Sequence, residues 1–245
     1  MRSDCVQVVL MAGGKGTRLR PFTSVLPKPL VPIGDLSIVE LILKQLKYYG
    51  FKEVIMSVGY KAEIIMAVIG NGSKFGLKIS YHIEKKPLGT VGALPQIRGL
   101  DDNFIIMNGD ICTNLNFMKL YINHLKCGCK ATIGSYARKE KLDLGVLEVD
   151  NSNKKIVGFS EKPIYEFIIS MGINAFHKSI IDLIPNGKFF GFDDLMYKMI
   201  KENVDIKYFP FDGLWYDIGR PDDYERMLES FKNNLEAYLP KGIDL

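Results

Sequence analysis

The sequence predicts an α/β fold: a Rossmann-like, mixed but mostly parallel sheet flanked by helices, with a smaller antiparallel lobe. Three observations carry this. Up to about residue 130, short apolar runs alternate with segments of helical period. From Lys130 onward short strands succeed one another, with Asp150-Asn151-Ser152-Asn153 as a hairpin turn. A glycine-rich basic turn follows the first strand, and open α/β sheets bind ligands at the carboxyl ends of their strands.

Val6-Gln7-Val8-Val9-Leu10-Met11 reads as a buried parallel strand. Residues 36–49 carry Ile38, Leu41, Ile42, Leu46 and Tyr49 at helical spacing, and Gly50 stops the helix. Residues 53–58 predict a second strand, and 61–69 a short helix ended by Gly70-Asn71-Gly72. Strands follow at 78–83 and 103–108. Between them a helix is expected after Thr90, started late or kinked, because Pro95 lacks a backbone donor. Residues 116–126 read as helix. The lobe takes strands at 131–136, 145–149 and 155–160. Helices return at 179–184, 193–203 and 221–236, the last with Pro221 at its start.

Composition narrows the classes. The 245 residues are 47% hydrophobic and 24% charged, ordinary for a globular chain. A net charge of +4, with no basic stripe between aromatics, argues against nucleic acid as partner. No apolar run approaches the roughly 18 residues of a membrane span. Met1-Arg2-Ser3-Asp4-Cys5 lacks the apolar core of a secretion signal. Cys5, Cys112, Cys127 and Cys129 fit neither a zinc site nor a disulfide framework. Reduced thiols in a cytoplasmic protein are expected; Cys112, two residues after Asp110, is expected to pack, with lining the site as the alternative. His82, His124 and His177 are scattered and receive no role. Hexapeptide repeats are absent.

The turn Ala12-Gly13-Gly14-Lys15-Gly16-Thr17-Arg18-Leu19 offers clustered backbone N–H groups to an anion. A dinucleotide fingerprint fails because Leu19 takes its third glycine, and no Gly-Lys-Ser/Thr closes a P-loop. Arg18 and Lys28 add positive charge, so the turn suits a polyphosphate; a solvated turn with chance basic residues is the plainer alternative. Pro27 and Pro29 stiffen the chain around Lys28 and favour a ligand role over a surface lysine. Asp110, after an apolar strand, suits a magnesium ligand or a turn aspartate. Glu161-Lys162 alone reads as an exposed charge pair.

The run Gly13-Gly14-x-Gly16-Thr17-Arg18-Leu19-x-Pro21, with Lys28-Pro29 downstream, resembles the signature of sugar-1-phosphate nucleotidyltransferases. Further matches follow in family order: Glu84-Lys85-Lys86-Pro87-Leu88-Gly89-Thr90, Asn108-Gly109-Asp110, Glu161-Lys162-Pro163 and Trp215-Tyr216-Asp217-Ile218-Gly219-Arg220-Pro221. The resemblance runs from about residue 6 to 231 and leans toward GDP-mannose-type guanylyltransferases without a C-terminal β-helix domain. It implies one catalytic domain, 1–245: a nucleotide-binding part to about 130, a sugar-phosphate part over about 131–220, and a C-terminal helix at 221–236. It also implies transfer of a nucleotidyl group from an NTP to a sugar-1-phosphate, with Mg²⁺ as cofactor; separately, a homo-oligomer is expected.

By that resemblance Ala12, Gly13, Gly14, Gly16 and Thr17 cradle the nucleotide, together with Glu84, Pro87, Gly89 and Thr90. Arg18 lies over the triphosphate, and Lys28 meets the α-phosphate. Asp110 and Asp217 hold the metal, and Lys162 holds the sugar phosphate. Gly109, Gly145, Glu161, Ser170, Gly172 and Asp217 complete the sugar side, with Ser170 where the family often has Asn. Glu84 stands where many uridylyl and thymidylyl enzymes carry Gln. A carboxylate only accepts hydrogen bonds, which matches the two adjacent donors of guanine, so GTP is favoured over UTP or dTTP. Some relatives with an acid there still use UTP. Two other classes stay open. A nucleotide-sugar-binding regulatory subunit would not need two metal-binding aspartates. A metal-dependent glycosyltransferase would present Asp-x-Asp where Asp110-Ile111-Cys112 stands.

Overall fold

The computed structural model describes residues 6–240; the expectations for residues 1–5, Cys5 among them, lie outside the described residues. The strands are β1 (Gln7–Ala12), β2 (Pro32–Ile33), β3 (Leu36–Ser37), β4 (Glu53–Val58), β5 (Lys78–Ile83), β6 (Asn103–Asn108) and β7 (Ile111–Thr113). They continue with β8 (Ala131–Lys141), β9 (Gly145–Asp150), β10 (Lys155–Glu161), β11 (Ile164–His177), β12 (Ile206–Phe211) and β13 (Trp215–Asp217). The α-helices are α1 (Phe22–Val25), α2 (Ile38–Tyr48), α3 (Ala62–Ile69), α4 (Phe117–Cys127), α5 (Phe192–Lys201), α6 (Pro221–Asn233) and α7 (Leu235–Tyr238).

A seven-stranded sheet in the order β12-β8-β11-β6-β1-β4-β5 forms the centre. β11 alone runs antiparallel to its neighbours. Val8, Val9 and Leu10 of β1 are fully buried. Alternate residues face opposite layers: Val8 and Leu10 pack in the cluster that holds α2, Val9 in the one that holds α5. Each such side chain contributes roughly 1.5–3 kcal/mol by leaving water. This two-sided burial is why the strand reads as an unbroken apolar run. A capping box opens α2: Ser37 Oγ accepts from Glu40 N at 3.4 Å, and Glu40 Oε2 accepts from Ser37 N at 3.0 Å. Among the described residues no helix is long and apolar enough to cross a membrane.

Four expectations need correction. No α-helix follows Thr90; Pro95 instead sits in a single 3₁₀ turn, Leu94–Gln96, because it cannot donate inside a longer helix. The helix expected at 179–184 is a 3₁₀ segment, Lys178–Leu183. Residues 131–136 belong to the central sheet, where β8 lies between β11 and β12, and not to a separate lobe. The lobe is an arm made from the distal halves of β8 and β11, carrying the β9–β10 hairpin, and its residues are exposed or half-buried. Lastly, the thiols of Cys127 and Cys129 are joined as a disulfide. Gly128 adopts a left-handed conformation at the end of α4 and turns the chain so that the two Cα atoms lie 5.3 Å apart. His124 lies beside them, but its nitrogens are 2.9 Å from Thr132 Oγ1 and 3.1 Å from Asn103 Oδ1. Burial lowers its pKa to about 4. Cys112 is buried and free, as packing predicts, and burial raises its thiol pKa strongly.

Candidate active site

The glycine turn leaves β1 at the carboxyl end of the sheet. Glu84 follows β5, two strands away, and its N–H donates to Val58 O at 2.8 Å. Its side chain is held from both sides. Ser57 Oγ donates to Oε1 at 2.9 Å, and Leu88 N donates to Oε2 at 3.3 Å. Gly13 makes this possible, because a Cβ there would stand 2.6 Å from Glu84 Oε1. A cavity of about 480 Å³ opens over these residues. Gly13, Gly14, Glu84, Pro87, Gly89, Thr90 and Asp110 line it, and all of them were expected from the sequence.

Phe189, Gly191, Asp193 and Asp194 line the opposite wall and were not anticipated. They lead into α5: Phe189 precedes it, Gly191 caps it, and Asp193 and Asp194 lie in its first turn, where Gly191 N donates to Asp194 Oδ2 at 2.8 Å. The helix start was legible; its docking against residues 88–92 was not. That docking rests on backbone bonds about a hundred residues apart in sequence: Phe190 N to Leu88 O at 2.9 Å and Gly92 N to Phe190 O at 3.1 Å.

Charges gather at one edge of this cavity. Lys28 is buried and pairs with Asp110 Oδ2. The structure therefore excludes the surface-lysine alternative. Asp110 Oδ1 is inaccessible and has no hydrogen-bond partner. Asp217 is brought alongside by the short β7–β13 ladder, which pairs it with Ile111, and Ile218 N donates to Asp110 O at 3.1 Å. Although Asp217 is more than a third exposed, protein crowds it. Desolvation raises its pKa, and the Asp110 carboxylate adds to the rise; Lys28 and Arg18 oppose it. Arg18 is exposed, and its Nη2 lies 3.7 Å from where a Cβ on Gly219 would be. Arg18, Lys28, Asp110 and Asp217 thus come together from four separate segments.

Asp217 also borders a second cavity of about 310 Å³, with Tyr136, Arg138, Trp215 and Arg226. The two carboxylates therefore stand between two open spaces. Ala12 is buried at the end of β1, and Gly109 N donates to Met11 O at 2.8 Å. Gly16 precedes the 3₁₀ turn that carries Thr17 and Arg18. Gly172 has φ +72° and packs against Asn108, and Ser170 Oγ accepts from Gly172 N at 3.4 Å. Gly145 and Glu161 face each other across the β9–β10 hairpin. They and Lys162 are exposed on the arm, outside the lining of both cavities.

Comparison with known proteins adds an independent line. A family model described as nucleotidyl transferase matches residues 7–234. A UTP–glucose-1-phosphate uridylyltransferase of Synechocystis is 32% identical over 89% of this chain, which spans 61% of that relative's length. A D-glycero-alpha-D-manno-heptose 1-phosphate guanylyltransferase of Campylobacter jejuni is 33% identical over 91% of this chain and 99% of its own. Among solved structures, HddC from Yersinia pseudotuberculosis superposes with a TM-score of 0.73 at 29% identity, over 92% of this chain and 99% of that one.

Proposed function

Because the chain belongs to the nucleotidyl transferase family, we propose that it transfers a nucleotidyl group from an NTP, GTP by preference, to a sugar-1-phosphate. An oxygen of the acceptor phosphate attacks the α-phosphorus, the bond from that phosphorus to the β-phosphate oxygen breaks, and pyrophosphate leaves. Both reactants are anionic, so the protein's tasks are alignment and charge stabilisation. The observation that carries this reading is the meeting of Arg18, Lys28, Asp110 and Asp217 beside the glycine turn.

Arg18 stabilises charge on the departing pyrophosphate, since a guanidinium fork matches phosphate oxygens. Lys28 pairs with Asp110 and is proposed to meet the α-phosphate. Asp110 and Asp217 suit Mg²⁺: one has an orphaned buried oxygen, and the other is crowded by a second carboxylate. When bound, the ion supplies positive charge against the repulsion between the two phosphates. Lys162, Glu161, Gly145, Ser170, Gly172 and Gly109 are proposed for the sugar phosphate. The same reading keeps the division into nucleotide and sugar-phosphate parts and the homo-oligomer.

Guanine is supported by Glu84. Its carboxylate is fixed at the cavity wall by Ser57 and Leu88 and presents only acceptors. The full-length match to a heptose-1-phosphate guanylyltransferase points the same way. Uridylyl transfer is the second reading, favoured by the Synechocystis relative. Pyrophosphate release, measured for four NTPs against glucose, mannose and manno-heptose 1-phosphates, decides between them. Release with no pair would leave only the regulatory-subunit reading. Arg18→Ala is expected to lower kcat by about 10²-fold at unchanged melting temperature; a change within about threefold removes its proposed role.

A further inference from the structure

Between β6 and β11 lies a pocket of about 50 Å³ that shares Thr90 and Asn108 with the larger cavity. Asn174 and the Gly172 backbone close it, and Ile106 and Phe192 form its apolar walls. Asn174 is the anomaly. It is 4% exposed, in a strand whose neighbours Ile173, Ala175 and Phe176 are wholly buried and apolar. Its Oδ1 is inaccessible and has no hydrogen-bond partner. Cores rarely keep such an oxygen unless a ligand or water satisfies it. The pocket has room for a hydroxyl or hydroxymethyl group.

Thr90, Val91 and Phe192 line the pocket from the side assigned to the nucleotide, and the place of Asn108 and Asn174 on β6 and β11 favours the acceptor. The glycine turn and Glu84 follow β1 and β5, on one side of β6. Asn174 lies on β11, on the other side, where Ile173 pairs with Met107 and Gly172 crowds Asn108 Nδ2 at 2.7 Å from its would-be Cβ. The ladder of β11 with β8 also shifts register between Ser170 and Asn174, so Gly172 leaves that pairing, with φ +72°.

We propose that Asn174, with Asn108 beside it, forms a polar subsite that receives one hydroxyl of the acceptor sugar and so selects the acceptor. Asn174 Oδ1 accepts the hydrogen bond. The proposal rests on the nucleotidyl-transfer reading. Leu is close to Asn in shape and removes the acceptor atom, so Asn174→Leu tests the claim; Asn174→Ala serves if Leu does not fold. Steady-state kinetics use GTP with α-D-mannose 1-phosphate and its monodeoxy analogues. Wild type is expected to lose about tenfold or more in kcat/KM with one analogue. Asn174→Leu is expected to lose that discrimination, to raise the acceptor KM by a similar factor, and to leave the GTP KM within about twofold, at equal or higher Tm. An unchanged acceptor KM in both variants overturns the subsite and leaves nucleotidyl transfer standing, as does an effect confined to the GTP KM. A wild-type enzyme that releases no pyrophosphate with any NTP and acceptor instead overturns the reaction, and the acceptor subsite falls with it.

Discussion

Asp217→Asn is expected to lower kcat by about 10²-fold or more while leaving thermal stability unchanged or slightly raised. The loss follows from removing one of two carboxylates proposed to hold a divalent cation. The stability result follows from the shifted acid. Asp217 has a pKa above the ordinary carboxylate value because of desolvation first and Asp110 second. The folded chain therefore holds a proton on this group more readily than the unfolded chain does. Stability falls as pH rises between the ordinary value and the raised one, and the full penalty is present above that window. Asn carries no charge and removes the penalty. The gain is small, because the carboxylate is more than a third exposed and water screens it. It is present at neutral pH and vanishes once the pH falls below the ordinary carboxylate range, about 3.9 for Asp. Paired melting curves at acid and neutral pH, with kcat at neutral pH, test both halves. A melting temperature several degrees lower at neutral pH, or a kcat within about threefold of wild type, contradicts this account.

Lys28→Ala is expected to lose both activity and stability. Lys28 is 8% exposed and pairs with Asp110, whose other oxygen already lacks a partner. Removing the ammonium leaves a half-buried carboxylate close to Asp217 without the cation that pairs with it. Breaking one side of a fully buried pair costs about 3–5 kcal/mol; partial exposure of Asp110 reduces this to roughly 2–3 kcal/mol. For a chain of this size that is a fall in Tm of about 4–12 °C. The kcat is expected to fall by about 10²–10³-fold, since charge that stabilises the transferring group is lost. Lys28→Met separates the causes. It keeps the apolar stem packed and removes only the charge, so its Tm should fall nearly as far as that of Lys28→Ala. If Lys28→Met is as stable as wild type, the ion pair contributes nothing and the packing of the stem explains the alanine result.

The two variants bear on how much of the site the sequence reveals. Arg18, Lys28, Asp110 and Asp217 each sit in a motif whose residue types suggest phosphate or metal chemistry. Their convergence could only be inferred through the family resemblance, because Asp217 reaches Asp110 through a three-residue ladder between strands about a hundred positions apart. Glu84 is legible as the candidate selector of the base, a role that stays a proposal. Ser57, which orients it, is not: a serine inside an apolar strand carries no local signal, and only the β4–β5 pairing turns it toward Glu84. Gly145, Glu161 and Lys162 read as one sugar-binding group, and the fold carries them together on an exposed arm.

The order of strands and helices, the parallel centre and the glycine turn are local properties. They follow from the period of the apolar residues, from helix stops, and from where glycine relieves steric conflict at Gly13. Tertiary structure decided the rest. It set residues 131–136 into the central sheet, docked the start of α5 against residues 88–92 at the cavity, and buried Asn174 without a partner. The physical reason is common to all three. Each depends on which distant backbone meets which, and strand pairing and desolvation act between segments whose separation along the chain leaves no periodic trace.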